Sequence, residues 1–263
     1  MKTALFVIDP QNDFCDPQGS LYVPNAEADM ARLADMIENN ADAIDHIVLT
    51  ADDHLPNDIA HPRFWQDSDG NMPAPFTSVS LQDVESGKYI PAAKYMDYAR
   101  EYLSKLEQKG VQHTIWPMHC VSGTWGADIE SQLMASIMAW SANTDNHFRI
   151  VRKGYYPFTE HYGAFQAEVP SDTEKSTQYN QELLDLLDGY DRILVAGEAK
   201  SHCVMNTIRQ MMEHSPAIMA KTVILEDAMS PVVGFGDAAS AVFAKAVELG
   251  ARICKTTDIY QHI

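Results

Sequence analysis

Five short apolar runs, each separated from the next by residues at helical spacing, restrict this chain more than any other feature. The runs are Ala4–Ile8, His46–Thr50, Phe148–Arg152, Ile193–Ala196 and Lys221–Leu225. They are close to continuous rather than alternating, the pattern of strands buried on both faces. Gln112–Ile115 predicts a third strand in chain order, and Ala251–Cys254 a further short one. Helices are expected over Ala26–Asn40 with Asn25 as N-cap, Ala92–Lys109, Ile129–Trp140, Gln181–Leu187, from Val204 onward, and Asp237–Leu249. Strands alternating with helices call for right-handed crossovers and a mostly parallel sheet. The expected fold is a single-domain three-layer α/β/α with about six strands. The irregular stretches near 55–110, 127–147 and 166–180 are expected to be insertions.

The chain has 263 residues, 46% of them hydrophobic and 21% charged, enough for one large core. A net charge of −18 repels phosphate backbones, so no nucleic-acid partner is expected. The four cysteines, Cys15, Cys120, Cys203 and Cys254, form no CxxC pair. That excludes a zinc ribbon and argues against a disulfide framework, which points to a reducing, cytoplasmic compartment. The apolar run after Met1-Lys2-Thr3 is too short for a secretory leader, and no run reaches the ~18 apolar residues that span a bilayer.

Chemistry concentrates at the carboxyl ends of the predicted strands, where open α/β sheets build their sites. Asp9 directly follows the first run and is a candidate acid or base, or simply a turn residue. Cys203 sits where the Ile193–Ala196 strand turns into the next helix. Free N–H groups and the dipole there would lower a thiol pKa and could hold an oxyanion. The competing reading is a buried, inert cysteine. Lys153, after the Phe148–Arg152 run, is either a surface residue or a cation beside a carboxylate and a thiol. Together, Asp9 can take the Cys203 proton while Lys153 keeps both groups anionic. Asp52, His54 and His119 form a second set, whose mixed carboxylate and imidazole donors suit Zn²⁺ or another divalent ion, Fe²⁺ or Mn²⁺ included. His61, His161 and His202 have no assigned role.

Five segments resemble the isochorismatase-like cysteine hydrolases, and within them the nicotinamidases. They are Phe6-Val-Ile-Asp-Pro-Gln-Asn-Asp-Phe14 with Gly19-Ser-Leu21, Ala51-Asp-Asp-His54, Trp116-Pro-Met-His-Cys-Val-Ser-Gly-Thr-Trp-Gly126, Lys153-Gly154, and Gly197-Glu-Ala-Lys-Ser-His-Cys-Val204. The resemblance implies an Asp9, Lys153, Cys203 triad and metal ligation by Asp52, His54 and His119. It also implies a cis peptide before Ala199, an oxyanion hole from the Ala199 and Cys203 N–H groups, and pocket walls from Phe14 and Trp116. The implied activity is conversion of nicotinamide to nicotinate and ammonia in NAD salvage, by a homo-oligomer acting on a small-molecule amide. A related hydrolase of another small amide or carbamoyl compound is the alternative, and a non-catalytic binding protein a further one. Glu198 and His202 depart from the family pattern, where a small apolar residue and often a tyrosine are usual.

Overall fold

The computed structural model describes residues 1–262, with side chains described through Ile259. Strand β1 (Thr3–Ile8) leads into a short helix α1 (Asn12–Cys15), then α2 (Ala26–Asn39) and β2 (His46–Asp52). Next come β3 (Trp65–Asp67), β4 (Ser78–Val79), α3 (Leu81–Glu85), β5 (Tyr89–Pro91), α4 (Met96–Gln108) and β6 (His113–Thr114). Helix α5 (Ser131–Thr144), β7 (Phe148–Lys153), α6 (Gln181–Asp188) and β8 (Arg192–Gly197) follow. A π-turn over Lys200–Val204 opens α7 (Met205–His214), and β9 (Thr222–Leu225), α8 (Ser240–Glu248) and β10 (Arg252–Cys254) come after it. Among the described residues no helix is long and apolar enough to cross a membrane.

Six strands form one parallel sheet in the order β10-β9-β8-β1-β2-β7. Successive residues of a strand point to opposite faces. On one face Leu5, Val7, Ile47, Leu49 and Leu194 pack with Leu33 and Ile37 of α2 and Leu133 and Trp140 of α5. On the other, Phe6, Ile8, Val48 and Val195 pack with α6, α7 and α8 through Leu187, Ile208 and Phe243. Both faces of the central strands are therefore covered, which is why Ala4–Ile8 and Ile193–Ala196 are apolar throughout, whereas the edge strand β7 exposes Arg149, Ile150 and Arg152.

The chain lays β2 and β7 to one side of β1 and β8, β9 and β10 to the other. This reversal opens a crevice at the carboxyl ends of β1 and β8, the expected location of a site.

Several sequence expectations shift. The strand expected at Gln112–Ile115 does not join the main sheet. Only His113 and Thr114 pair, antiparallel, with Ser78–Val79, because a segment this short and polar cannot be buried on both faces. Its place in the six is taken by Arg252–Cys254. Helix α4 starts at Met96 rather than Ala92, because Ala93–Tyr95 winds as a 3₁₀ turn. Helix α5 starts at Ser131, where the Glu130 carboxylate accepts from the Gln132 and Leu133 amides, and it runs on to Thr144. Asn25 does precede α2, but in left-handed backbone with no side-chain cap bond.

The stretch that looked irregular, residues 55–110, carries an apolar cluster of its own around Ile59, Trp65, Tyr102, Leu106 and Ile115. The Trp65 indole donates to the Ile59 carbonyl at 2.7 Å. Trp116 N–H donates to the Ala60 carbonyl at 2.8 Å, which brings the 116–120 loop against the sheet end.

Gly197 closes β8 with φ +114°, and a Cβ there would lie 2.1 Å from the Ile8 carbonyl oxygen. Gly197→Ala is expected to cost more than about 3 kcal/mol, adding left-handed strain to a backbone clash. Gly234→Ala, also at positive φ but with open space around it, should cost only about 1 kcal/mol. Paired urea melts check the difference.

Candidate active site

Four strand ends supply the charged core of the site. Asp52 ends β2 and Lys153 ends β7, and the two are register partners across the sheet. Asp9 follows β1 with a left-handed φ of 44° and is fully buried. Cys203 lies on the π-turn beyond β8. The Lys153 ammonium stands 2.9 Å from Asp9 Oδ2, 2.5 Å from Asp52 Oδ1 and 3.9 Å from Cys203 Sγ. It also donates to the His161 carbonyl at 2.8 Å. Thr50 Oγ1 donates to Asp9 Oδ1 at 2.6 Å and accepts from the Asp9 N–H at 3.0 Å, which fixes that carboxylate. The three side chains Asp9, Lys153 and Cys203 thus meet, although they come from distant parts of the chain.

Their protonation follows from burial and charge. Burial works against the Lys153 ammonium, but the Asp52 and Asp9 carboxylates push it well above the ordinary lysine value. Burial raises Asp9, and Lys153 only partly pulls it back. For Asp52 burial is overcome by Lys153 and then by His54, so its carboxyl is held well below the usual range. Two carboxylates a few ångströms apart are therefore driven in opposite directions, the arrangement that separates a proton acceptor from a permanent anion. The thiol differs from the sequence expectation. Burial pushes Cys203 well above the usual cysteine value despite Lys153. The resting group is a thiol whose proton needs an acceptor, and the Asp9 carboxylate lies within 4.8 Å of it.

The second set also converges. One ligand atom each from Asp52, His54 and His119 lies within 4.8 Å of the others. The His54 N–H donates to the Cys120 carbonyl at 3.0 Å and the His54 carbonyl accepts from Ser122 N–H at 2.9 Å. Those bonds hold the His119 loop beside β2. His119 Nδ1 donates to the Pro117 carbonyl at 2.8 Å, leaving the lone pair on Nε2. His54 Nδ1 pairs with Asp58 Oδ2 at 3.1 Å, and its Nε2 is buried with no hydrogen-bond partner. A carboxylate behind an imidazole whose other nitrogen is free is the usual support of a metal ligand. Burial holds His119 down at about 3, so its ring is neutral. These donors fit a divalent cation. Asp9, Asp52 and Cys203 also converge within 4.8 Å, but the Lys153 ammonium already fills that space.

The pocket between the two sets is lined by Phe14, Leu21, Trp116, Glu160, Tyr162, Ala199, His202 and Val232, besides Asp52, His119 and Cys203. Phe14 and Trp116 therefore both reach it. Trp116 Nε1 donates to the Tyr162 hydroxyl at 2.9 Å, and the Trp116 ring stands edge-on to His202 at 5.0 Å. Ala199 and Cys203 are both on the wall, and the Glu198–Ala199 peptide is cis.

Of the unassigned histidines, His61 lies against the metal-type set, 5.1 Å and 5.2 Å between ring centres from His54 and His119. His161 contributes its carbonyl to Lys153, and His202 forms pocket wall. Sequence reading missed Asp58, Glu160, Tyr162 and Val232. The four-residue spacing from His54 to Asp58 was a usable signal. Glu160, whose carboxyl burial pushes up to about 7, lies on a loop and gave none.

No protein-family model matches the chain. A nicotinamidase from Saccharomyces cerevisiae is 26% identical over 232 residues, covering 88% of this chain and 89% of that one. The solved structure of the yeast nicotinamidase bound to the inhibitor nicotinaldehyde superposes with a TM-score of 0.64 at 21% identity, covering 96% of this chain and 99% of that one. The pyrazinamidase of Pyrococcus horikoshii in complex with zinc gives a TM-score of 0.56 at 20% identity, over 97% and 99% of the two chains. The sheet and its strand-end crevice share the fold of these solved structures. In sequence the chain is similar to nicotinamidases over most of its length.

Lys153→Met would leave Asp9 and Asp52 buried without their cation, an expected cost of about 3–5 kcal/mol. Asp52 is held below its usual value when folded, so its stabilisation is present above about pH 3.9 and is lost as pH falls below that. The stability difference between wild type and Lys153→Met should therefore shrink in acid, as urea melts from pH 7 down to about 3 would show.

Proposed function

We propose that this chain is an amidohydrolase that converts nicotinamide to nicotinate and ammonia, with Asp9, Lys153 and Cys203 as its catalytic residues. The observation that carries the reading is the meeting of a thiol, a buried carboxylate with a raised proton affinity and a fixed ammonium at one strand-end crevice. Asp9 takes the Cys203 proton as Sγ attacks the carboxamide carbon. The oxyanion is received by the N–H groups of Ala199 and Cys203. Collapse breaks the C–N bond, the proton held on Asp9 goes to the leaving nitrogen, and ammonia departs from a Cys203 thioester. Asp9 then removes a proton from water, which adds to the thioester carbonyl and releases nicotinate and the thiol. Lys153 keeps its proton throughout and steadies the charge that moves between Asp9 and Sγ.

Asp52, His54 and His119 would hold one divalent ion, for which Zn²⁺ is our assignment, while Fe²⁺ and Mn²⁺ suit the same donors. Bound there, the ion would supply a Lewis acid that anchors a ring nitrogen. Phe14 and Trp116 would stack on the flat ring and exclude water from the thioester.

Ammonia release from nicotinamide should be lost in Cys203→Ala by about 10⁴-fold or more, with the fold intact by circular dichroism. Turnover of other small amides with none of nicotinamide would keep the thiol chemistry and replace the substrate. Asp58→Asn should weaken metal affinity about 10–100-fold, read by competition with a chelating dye, and leave the metal-free thiol equally open to alkylation.

A further inference from the structure

Glu198 stands where relatives of this kind are expected to carry a small apolar residue, and its side chain is completely buried. Its Oε2 accepts the Ser230 N–H at 3.1 Å. Its Oε1 has no donor, and neither does Oδ2 of Asp29, a buried residue of α2. The two carboxyl groups lie against each other. Two ionised carboxylates so placed could not bond one another, since both only accept. Asp29 has a cation of its own in Arg32, which bonds Oδ1 and reaches on to the Asp227 carbonyl. Besides Asp29 and Arg32 from α2, Glu198 faces the Ser230 amide from the segment after β9 and the buried Cys15 thiol at the end of α1.

We propose that Glu198 carries a proton at neutral pH and shares it with Asp29, and that this acid pair positions the oxyanion side of the pocket. Glu198 is a positioning residue, because its side chain points away from the pocket and is not among the residues lining it. It acts through the chain around it. The Glu198 N–H donates to the Ile8 carbonyl, beside Asp9, and the next residue is Ala199. Lys200 N–H donates to the Ser230 carbonyl and Val232 N–H to Ser201 Oγ. The Ser230 amide bound by Glu198 thus belongs to the segment that brackets the Ala199–Cys203 turn and places Val232 in the pocket wall. Sharing the proton with Asp29 ties this whole assembly to α2. Burial, followed by the Asp29 charge, pushes the Glu198 carboxyl well above its ordinary value, in agreement with that geometry.

The shared proton has a sign-specific consequence. The unfolded chain releases it above about pH 4.3, whereas the folded chain retains it. This residue's contribution to stability is full below that pH and declines as pH rises towards the folded value. Glu198→Gln mimics the protonated acid, since its amide can donate to Asp29, and has no proton to lose.

The test compares two variants of the full chain with the wild type, in three arms. Urea melts should show Glu198→Gln equal to wild type near pH 4 and increasingly the more stable up to about pH 8. Wild type minus Glu198→Gln infrared spectra at pH 7 should show the C=O stretch of a protonated carboxylic acid. Both are read without substrate and stand or fall whether or not nicotinamide is turned over. The third arm rests on the amidase reading. Glu198→Gln should keep kcat within about threefold, while Glu198→Ala, which leaves Asp29 and the Ser230 amide unpaired, should lose about tenfold or more with KM little changed. Absence of the acid band, or a Gln variant less stable at every pH, overturns the shared proton. A Glu198→Ala variant with wild-type kcat overturns the positioning role.

Discussion

One buried ammonium holds this site together. Lys153 Nζ lies between Asp9 and Asp52 and within 3.9 Å of the Cys203 sulfur, with almost no exposure to solvent. Neither carboxylate could remain charged at that depth without it, because an unpaired buried charge costs several kcal/mol. Its effect on the two is unequal. Asp52 gains support from His54 as well and is pinned as an anion, while Asp9 stays hungry for a proton. Asp52 thereby belongs to both groupings of side chains: it is counter-ion to Lys153 and a member of the Asp52, His54, His119 set.

The sheet topology explains why such a charge cluster can exist in one place. β1 is central, and the chain leaves it first to one side and then to the other. The ends of β2, β1 and β8 are consequently neighbours, and β7 adds Lys153 directly beside Asp52. The central strands spend their apolar residues on the two layers of helices, and the site's polar side chains come at the strand ends or just past them, as Asp52, Lys153 and Asp9 do. The 55–120 region then closes the crevice from above, as the Trp116 N–H to Ala60 bond and the His54 to Cys120 bond anchor its loop.

Much of this was legible in the residues. Parallel strands buried on both faces leave a strong signal, so the main-sheet strands could be read directly, the one at Arg252–Cys254 only as a short possibility. Asp9, Lys153 and Cys203 were each ambiguous alone and were singled out as a set, because all three follow apolar runs whose ends a parallel sheet brings together. The Gln112–Ile115 strand misled because two or three polar β-formers pair equally well with another short segment outside the main sheet, here Ser78–Val79. The protonation of Cys203 was also misread. A helix start favours a thiolate only when water reaches it, and here burial outweighs the dipole. The pocket wall beyond Phe14 and Trp116 was hidden, because Glu160, Tyr162 and Val232 come from loops whose positions are set by contacts with other segments. Glu198 was visible as a departure from pattern, but its partner Asp29 sits on a helix that sequence spacing assigned only to core packing.

The central claim is that the Cys203 sulfur becomes covalently bound to the acyl group. The direct measurement is mass spectrometry of the protein quenched in acid during turnover of nicotinamide, followed by peptide mapping. The account predicts a nicotinoyl thioester on the peptide that contains Cys203, present while substrate remains and gone when it is exhausted. Ammonia release at full rate with no acyl group on that cysteine at any quench time would contradict it.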